Sequence, residues 1–416
     1  MRTCKHLIIG AGVTGLAFAN FANKDDWILC EATSEVGGYC KSIHQDGFVW
    51  DYSGHFFHFN NPEIKKLFFD RMQNVEMLEV DKITSINYQN NRIDFPFQTN
   101  IHQLPYDEFI DCLVDLVERP NNYPDNFLEM LYNKFGKGIT EKFLKPYNEK
   151  LYACDLNNLD VDAMGRFFPH ASLNKIISNF RNNDSKSYNS KFTYPKDGAY
   201  EFIKALLKDL DDNRIMKNHG LNHVDLENKI CIFDNGEKIK FENLISSVPF
   251  PKLLDLCKIH YDKKIYTSNK VLVFNLGFDQ STPIKDHWVY FPDPETVFYR
   301  VGFYNNIIGS DRMSLYVEIG LNENESVNHE ETLKKVLHDL KKHVIIQEQT
   351  LISKNPIVMK PAYVHIKKES IADHRFKCGL LKTHGVYSIG RYGGWKYCSI
   401  EDNVIESRDL YKELNS

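Results

Sequence analysis

Residues 6–21 read HLIIGAGVTGLAFANF, an apolar run that enters a glycine-rich turn and continues as a second apolar segment. HLII predicts a buried strand, and LAFANF predicts a helix that packs on it. Residues 27–31, WILCE, predict a second strand that ends on an acid. The order strand, glycine turn, helix and strand predicts a Rossmann-like α/β unit.

The turn itself, GAGVTG, fits the GxGxxG pattern of dinucleotide-binding sites. Gly10 permits the tight turn, Gly12 lets a pyrophosphate approach the backbone, and Gly15 lets helix and strand pack closely. The helix start around Thr14 would offer free N–H groups to the phosphates. Glu31 stands where an acid that binds the ribose is expected. A glycine turn that only packs is the alternative, but strand, helix and acid in register favour a dinucleotide site.

Composition limits the classes of function. The chain has 416 residues, 42% of them hydrophobic, which is enough for two or three compact units. A net charge of −5 argues against a general nucleic-acid binder. Nine cysteines without a CxxC pair predict neither a disulfide framework nor a metal site. Without an apolar run of about 18 residues or a signal peptide, we expect no membrane span and a cytoplasmic protein.

The pattern changes along the chain. Residues 107–118, DEFIDCLVDLVE, repeat apolar positions every three or four residues and predict a helix. The polar stretch 179–191 predicts a loop between units. KVLVFNLGF at 270–278 and RMSLYVEIG at 312–320 belong to a succession of strands that predicts an antiparallel sheet.

Two further glycine segments favour FAD as the dinucleotide. Gly37 and Gly38 follow the ribose acid, as in FAD proteins of the amine-oxidase and glutathione-reductase-like group, and would let a second loop lie against the cofactor. Residues 390–403, GRYGGWKYCSIEDN, end a strand and open a helix whose N–H groups could meet the flavin. The two chain ends together predict a discontinuous FAD-binding domain.

Several motifs resemble those of one family. GHFFH (54–58), FPFQTNI (95–101), KPYNEKLY (145–152), YFPDPETVFYR (290–300) and GRYGGWKY (390–397) resemble successive motifs of UDP-galactopyranose mutase. The resemblance is closer to the eukaryotic-type branch than to the bacterial one, and it covers nearly the whole chain in order.

The resemblance implies an FAD-dependent isomerase that interconverts UDP-galactopyranose and UDP-galactofuranose for cell-surface polysaccharide biosynthesis. In that family the N5 atom of the reduced flavin attacks the anomeric carbon and displaces the nucleoside diphosphate. The flavin–sugar adduct then opens and recloses as a five-membered ring. Because the chain has no second GxGxxG motif, NAD(P)H as reductant would have to bind in the same cleft. The expected partner is a UDP-hexose and not a nucleic acid; a homo-oligomer is left open.

The resemblance also implies the site residues. The catalytic set is His55, Arg166 and Arg300. The substrate-binding set is Phe97, Gln98, Asn148, Tyr152, Arg166, Tyr290, Arg300, Tyr363 and Tyr397. The cofactor-binding set is Gly10, Gly12, Thr14, Gly15, Glu31, Gly37, Gly38, Gly54, His55, Arg391, Ser399 and Asp402. Both catalytic arginines stand where the family binds the diphosphate, to which a guanidinium offers charged, bidentate donors.

Departures from the family pattern leave the substrate open. Tyr152 replaces the family's tryptophan, and Ser53-Gly54 replaces its Gly-Gly pair. The same chemistry on an N-acetyl- or deoxyhexose nucleotide is therefore one alternative, and an amine-oxidase-like FAD oxidoreductase is another. Structural roles are also open for Arg166 as a salt-bridge partner and for Phe97 as a core residue.

We therefore predict an α/β fold with three parts. The FAD-binding domain comprises residues 1–85, 192–265 and 366–416. A helical domain comprises residues 100–190. An antiparallel sheet domain for the substrate comprises residues 86–99 and 266–365.

Overall fold

The computed structural model describes residues 1–182 and 190–416. Its strands are β1 (Arg2–Ile9), β2 (Trp27–Cys30), β3 (Ser42–Gln45), β4 (Phe48–Asp51), β5 (Met77–Asp81), β6 (Thr84–Tyr88), β7 (Asn91–Asp94), β8 (Lys191–Pro195), β9 (Ile215–Met216), β10 (Leu221–Asp225), β11 (Ile230–Phe233), β12 (Lys238–Ser246), β13 (Asn269–Phe278), β14 (Trp288–Tyr290), β15 (Arg300–Phe303), β16 (Ser314–Asn322), β17 (Leu351–Met359) and β18 (Val386–Ser388). Its helices are α1 (Val13–Phe21), α2 (Pro62–Arg71), α3 (Tyr106–Val117), α4 (Phe127–Ile139), α5 (Lys145–Tyr152), α6 (Leu173–Asn182), α7 (Tyr200–Leu207), α8 (Phe250–Leu256), α9 (Tyr304–Ile308), α10 (His329–Lys342), α11 (Lys368–Thr383), α12 (Gly390–Gly393) and α13 (Ile400–Leu414).

The first sheet is built around β1. It has the strand order β10-β11-β12-β1-β2-β9, with β18 also paired to β12. The strands β12, β1, β2 and β9 run parallel, as does β18 beside β12. Leu7 and Ile8 of β1 are fully buried, which explains its unbroken apolar sequence. Strands from both ends and the middle of the chain thus meet in one sheet.

The second sheet has the order β17-β13-β16-β15-β14-β6-β7. All its neighbouring pairs are antiparallel except β14 and β6, which run parallel. The predicted strands KVLVFNLGF and RMSLYVEIG are β13 and β16, which pair along their full length. The parallel pair arises because β6 comes from a distant stretch of the chain and joins the sheet beside β14.

The third part is helical and has its own apolar core. The predicted helix at 107–118 is α3, which packs closely on α4: a Cβ atom added to Gly138 would lie 2.9 Å from the Cα atom of Cys112. A π-helical turn, Thr140–Leu144, leads into α5. The loop predicted for 179–191 is wrong for residues 179–182, which are helical, because Ile176 and Phe180 keep the helical spacing and α6 continues to Asn182. Residues 183–189 of that segment lie outside the described residues.

The two sheets share a core, and the helical part meets it at two tyrosines. Val271 and Val273 of β13 belong to the same apolar cluster as Ile8 of β1. Tyr290 and Tyr363 pack against both this cluster and the core of the helical part. Within the described ranges, no helix is both long and apolar enough to cross a bilayer.

Candidate active site

The turn after β1 forms a cradle for a closely approaching ligand. Gly10 has a φ of +97°, which favours glycine. A Cβ atom on Gly15 would lie 1.9 Å from the carbonyl oxygen of Gly10, so helix and strand pack as closely as predicted. The N-cap of α1 is Gly12, which offers no side-chain cap, and the first turn has no acid. The positive end of the helix is thus available to an anion.

Glu31 lies at the edge of this cradle. Its Oε2 atom accepts from the amide of Ala11 at 2.9 Å, and its Oε1 atom accepts from the amide and hydroxyl of Thr33. The loop of Gly37 and Gly38 lies against the first turn: a Cβ atom on Gly38 would lie 3.3 Å from the Cα atom of Gly12. These contacts fix the carboxylate where the resemblance expects a ribose.

The C-terminal segment closes the cradle. Gly390 has a φ of +85°, and a Cβ atom there would lie 2.4 Å from Oγ1 of Thr14. That hydroxyl donates to Oδ1 of Asn403, which also accepts from the amide of Arg391. The start of α12 is therefore held directly on α1, as a discontinuous cofactor domain requires.

Ser399 and Asp402, two predicted cofactor residues, cap α13. The Ser399 hydroxyl accepts from the amide of Asp402, and the Asp402 carboxylate accepts from the amide of Ser399. The other carboxylate oxygen pairs with Arg166 at 2.5 Å. Neither residue lines the cavity described next, and a cofactor role for them stays a prediction.

A cavity of about 1210 Å³ runs from the cradle to the second sheet. The predicted site residues that line it are Gly10, Gly12, Thr14, Glu31, Gly37, Gly38, Gly54, His55, Arg300, Tyr363, Arg391 and Tyr397. The others, Gly15, Phe97, Gln98, Asn148, Tyr152, Arg166, Tyr290, Ser399 and Asp402, lie outside its lining. One cavity thus has room for a dinucleotide and a second ligand.

Strand register brings Tyr290, Arg300 and Glu318 side by side. Arg300 on β15 is directly opposite Tyr290 on β14 and directly opposite Glu318 on β16. Its guanidinium forms two bonds to the Glu318 carboxylate, Nε to Oε2 at 2.6 Å and Nη2 to Oε1 at 2.8 Å. Nη1 takes no part in this pair. The ion pair fixes the plane of the guanidinium on the cavity wall.

Arg391 and two tyrosines form a stack on the same cavity. The Tyr363 and Tyr397 rings are parallel with centroids 5.9 Å apart. The Arg391 guanidinium lies 4.5 Å from the Tyr397 ring and 5.4 Å from the Tyr363 ring. It donates to the carbonyl groups of Cys398 and Ala362, and no carboxylate in the described part of the chain pairs with it. Burial raises the pKa of Tyr363, so its hydroxyl stays protonated and can donate.

His55 is a neutral base on the cavity wall. Its Nδ1 atom lies 3.0 Å from the carbonyl oxygen of Ser53, which assigns the ring proton to Nδ1 and leaves Nε2 as an acceptor. Burial lowers the pKa of His55 to about 4, and the charges of Arg391 and Arg300 act in the same direction. The ring is therefore uncharged near pH 7.

The substrate residues predicted on the helical part are buried and lie outside the cavity lining. Phe97 stacks on Phe143 at 5.2 Å within the helical core. Three polar atoms nearby, Oε1 of Gln98, Oδ1 of Asn148 and the hydroxyl of Tyr152, have no hydrogen-bond partner among the described residues. Buried groups of this kind are costly to leave unpaired, and a substrate contact for these residues stays a prediction.

Arg166 does not reach the cavity lining. Its side chain is 46% exposed and pairs with Asp402 of α13. The guanidinium covers the ring of Phe167, which in turn contacts Tyr397 at 5.1 Å. In this structure Arg166 is therefore a salt-bridge partner, which was the alternative interpretation of this residue. Its role in binding a diphosphate stays a prediction.

Two residues that the sequence analysis did not single out complete the site. Glu318 is 1% exposed and accepts a bond from the hydroxyl of Ser53 in addition to Arg300. Asn403 joins α1, α12 and α13 through one oxygen. A lone acid inside the apolar strand sequence SLYVEIG was the available signal for Glu318, whereas nothing in the sequence marked Asn403.

Comparisons with known proteins agree with this geometry. A solved structure described as reduced UDP-galactopyranose mutase matches with a TM-score of 0.92 at 24% identity, over 100% of this chain and 94% of that one. This chain has the same fold. The resemblance seen in the motifs is confirmed at the level of fold, and so is the predicted fold class.

Oxidase structures match less closely. A protein assigned as a protoporphyrinogen oxidase from Exiguobacterium sp. 255-15 has a TM-score of 0.77 at 16% identity, over 99% of this chain and 98% of that one. A putrescine oxidase variant redesigned in its cofactor binding has a TM-score of 0.68 at 14% identity, over 100% of this chain and 99% of that one. The NAD(P)-binding Rossmann-like domain family matches residues 8–71, the segment that contains the glycine cradle.

Proposed function

We propose that the protein is a flavin-dependent nucleotide-sugar mutase that interconverts the pyranose and furanose forms of a UDP-hexose, with UDP-galactose as the first candidate. The observation that carries the proposal is a cluster of charged and phenolic donors on the cavity wall. There Arg300, Arg391, Tyr363 and Tyr397 face a space continuous with the glycine cradle. Two guanidinium groups and two phenols suit a diphosphate that must be held while it is detached from a sugar.

The residues of the cradle fit FAD. Gly10, Gly12 and Gly38 leave the backbone bare where a pyrophosphate would approach, and the uncapped start of α1 favours its charge. Glu31 would bind the ribose, and the α12 segment around Arg391 would lie at the flavin. When bound in its reduced form, FAD supplies the nucleophile for the anomeric carbon.

The chain's own groups would then hold the reacting parts. Arg300 and Tyr363 would bind the diphosphate both when it leaves and when it returns, so charge that develops there meets fixed donors. Neutral His55 would accept a hydrogen bond at Nε2 without adding charge. The surrounding aromatic residues exclude water from the reacting centre. Loss of the Arg300 or the Arg391 guanidinium should lower the rate by roughly 10²- to 10³-fold.

Incubation with UDP-galactopyranose tests the proposal. Purified protein is reconstituted with FAD, kept oxidised or reduced with dithionite, NADH or NADPH, and the products are followed by NMR. We expect the furanose only in reduced samples, because a mutase needs the reduced flavin but consumes no electrons. UDP binding without product would direct the search to N-acetyl- and deoxyhexose nucleotides.

An oxidase would behave differently in the same experiment. The oxidase fold similarity makes an amine-oxidase-like reaction the alternative, and it predicts oxygen uptake in step with turnover. Oxygen uptake together with an absence of UDP binding would reject the mutase proposal. A mutase role would also support the place in cell-surface polysaccharide biosynthesis that the family resemblance implies, since it produces a furanose donor, while the cytoplasmic location stays a prediction.

A further inference from the structure

One partly buried lysine joins the helical part to the hairpin that carries Tyr290 and Arg300. Lys150 lies on α5, and its Nζ atom donates to three backbone carbonyl groups: Phe291 at 2.9 Å, Asp293 at 2.8 Å and Phe298 at 2.6 Å. An ammonium group has three N–H donors and no acceptor, so this arrangement uses all of them. No carboxylate in the described ranges forms an ion pair with it.

The three carbonyl groups belong to a single loop, residues 291–299, which connects β14 to β15. Phe291 and Phe298 stand at its two ends, so Lys150 ties together the places where the chain leaves Tyr290 and returns to Arg300. The loop is also held by α10, where the Asp339 carboxylate accepts a hydrogen bond from the amide of Val297 at 2.8 Å. Lys150 therefore holds the base of the hairpin loop.

The helix α5 is itself fixed to the second sheet. A Cβ atom on Gly320 of β16 would lie 2.0 Å from the carbonyl oxygen of Lys150, so helix and strand touch through their backbones. Asn269 donates to the carbonyl of Leu151 at 2.7 Å, and His365 bonds to the carbonyl of Tyr152. Lys150 thus extends from a rigid base.

We propose that Lys150 is a positioning residue of the diphosphate site: it holds the β14–β15 hairpin so that Arg300 keeps its place in the cavity wall, with Tyr290 opposite it on β14. The inference rests on the proposed function. The same helix carries Asn148 and Tyr152, so the lysine links the two predicted halves of the substrate site.

The charge state agrees with this role. Burial lowers the pKa of Lys150 to about 7, while three carbonyl acceptors favour the protonated form, which alone can serve all of them. The nearby charges are Asp293 and Asp339, which favour protonation, and Lys342, which opposes it.

The test replaces Lys150 by methionine, which keeps the apolar stem and removes the donors. UDP affinity is measured by calorimetry, hydrogen exchange is measured at residues 291–300, and flavin content is measured by absorbance. We expect the Kd for UDP to rise at least tenfold and exchange to increase in the loop, with flavin content unchanged. The matched control is Lys342→Met, which removes a half-exposed lysine 3.4 Å from the Asp293 carboxylate and should change the Kd less than twofold.

The outcomes separate the inference from the function. Native UDP affinity with unchanged exchange in Lys150→Met overturns the positioning role. If that variant does not fold, Lys150→Gln replaces it. Glutamine has only two N–H donors on a shorter side chain, so we expect UDP binding to be several-fold weaker. Native UDP affinity in this variant would overturn the positioning role. If the unaltered protein does not bind UDP, the proposed function fails, and loop exchange alone decides whether Lys150 holds the hairpin.

Discussion

At the scale of single residues, the site depends on charges held out of water. Arg300 is balanced by Glu318, whereas Arg391 is surrounded by rings and carbonyl groups. The net charge of the cavity wall is therefore positive, although the whole chain carries −5. A ligand with concentrated negative charge is what such a wall stabilises.

Removing Arg300 should reveal how much the buried Glu318 carboxylate depends on this cation. In Arg300→Ala the Glu318 carboxylate stays buried without a cation, which costs about 3–5 kcal/mol of unfolding free energy. In Arg300→Ala combined with Glu318→Gln, part of that loss should return, because no buried charge is left. UDP affinity should be lost in both variants. Urea unfolding and calorimetry measure these two effects.

Arg312→Ala is the matched control. Arg312 lies over the ring of Phe48 and donates to the carbonyl groups of Asp46 and Gly47, outside the cavity lining. It should leave UDP affinity unchanged. Equal stability of the single and double variants would show that Glu318 does not need Arg300.

His55 should stay neutral down to low pH. Its folded pKa of about 4 lies below the ordinary value of 6.5, so the unfolded chain binds more protons between these limits. The contribution of His55 to stability is therefore present above pH 6.5 and is lost as the pH falls toward 4. Nitrogen NMR of labelled histidine should show no protonation of this ring between pH 8 and 5, with His55→Gln used to assign the signal. Titration near 6.5 would contradict the buried neutral state.

At the scale of elements, the cofactor domain depends on the contact between α1 and α12. The backbone of Gly390 lies so close to the side chain of Thr14 that position 390 has no room for a side chain. The contact joins elements almost four hundred residues apart along the chain.

Gly390→Ala should therefore release the cofactor. The added methyl group would meet the Thr14 hydroxyl, and a φ of +85° strains any L-residue. We expect a lower ratio of bound flavin to protein and a lower Tm. The control is Gly379→Ala on α11, where no atom lies within 4 Å, and which should be neutral or stabilising by about 0.5–1 kcal/mol. Full flavin content in Gly390→Ala would show that α12 does not close the site.

At the scale of the whole molecule, the two sheets share one apolar core, whereas the helical part has another. Elements with a common core unfold together. Tyr290 and Tyr363 connect the two cores next to the cavity, so ligand binding there should couple them.

Hydrogen exchange tests this coupling. Amides of β1 and β13 should exchange with the same opening free energy, and those of α3 and α4 with a lower one. FAD at 100 times its Kd should raise the value for the two sheets by about 2.7 kcal/mol. UDP should then raise protection in α5 as well. Independent exchange of β1 and β13 would contradict the common core.

Much of the fold could be predicted from local patterns. The glycine cradle, the helix α3 and the strands β13 and β16 follow from periodicity and turn chemistry, which act over a few neighbouring residues. The loop predicted at 179–182 was wrong, since polar residues on the exposed face of α6 hid its apolar spacing.

The sequence by itself determined the cradle, the apolar strands and the motifs that point to a nucleotide sugar, because each depends on residues close together in the chain. Only the tertiary structure decided that Glu318 neutralises Arg300, that Lys150 holds the loop between Tyr290 and Arg300, and that Arg166 pairs with Asp402. The physical reason is that strand register and helix packing join residues that are distant along the chain. Local pattern carries no information on which partner a buried charge will meet.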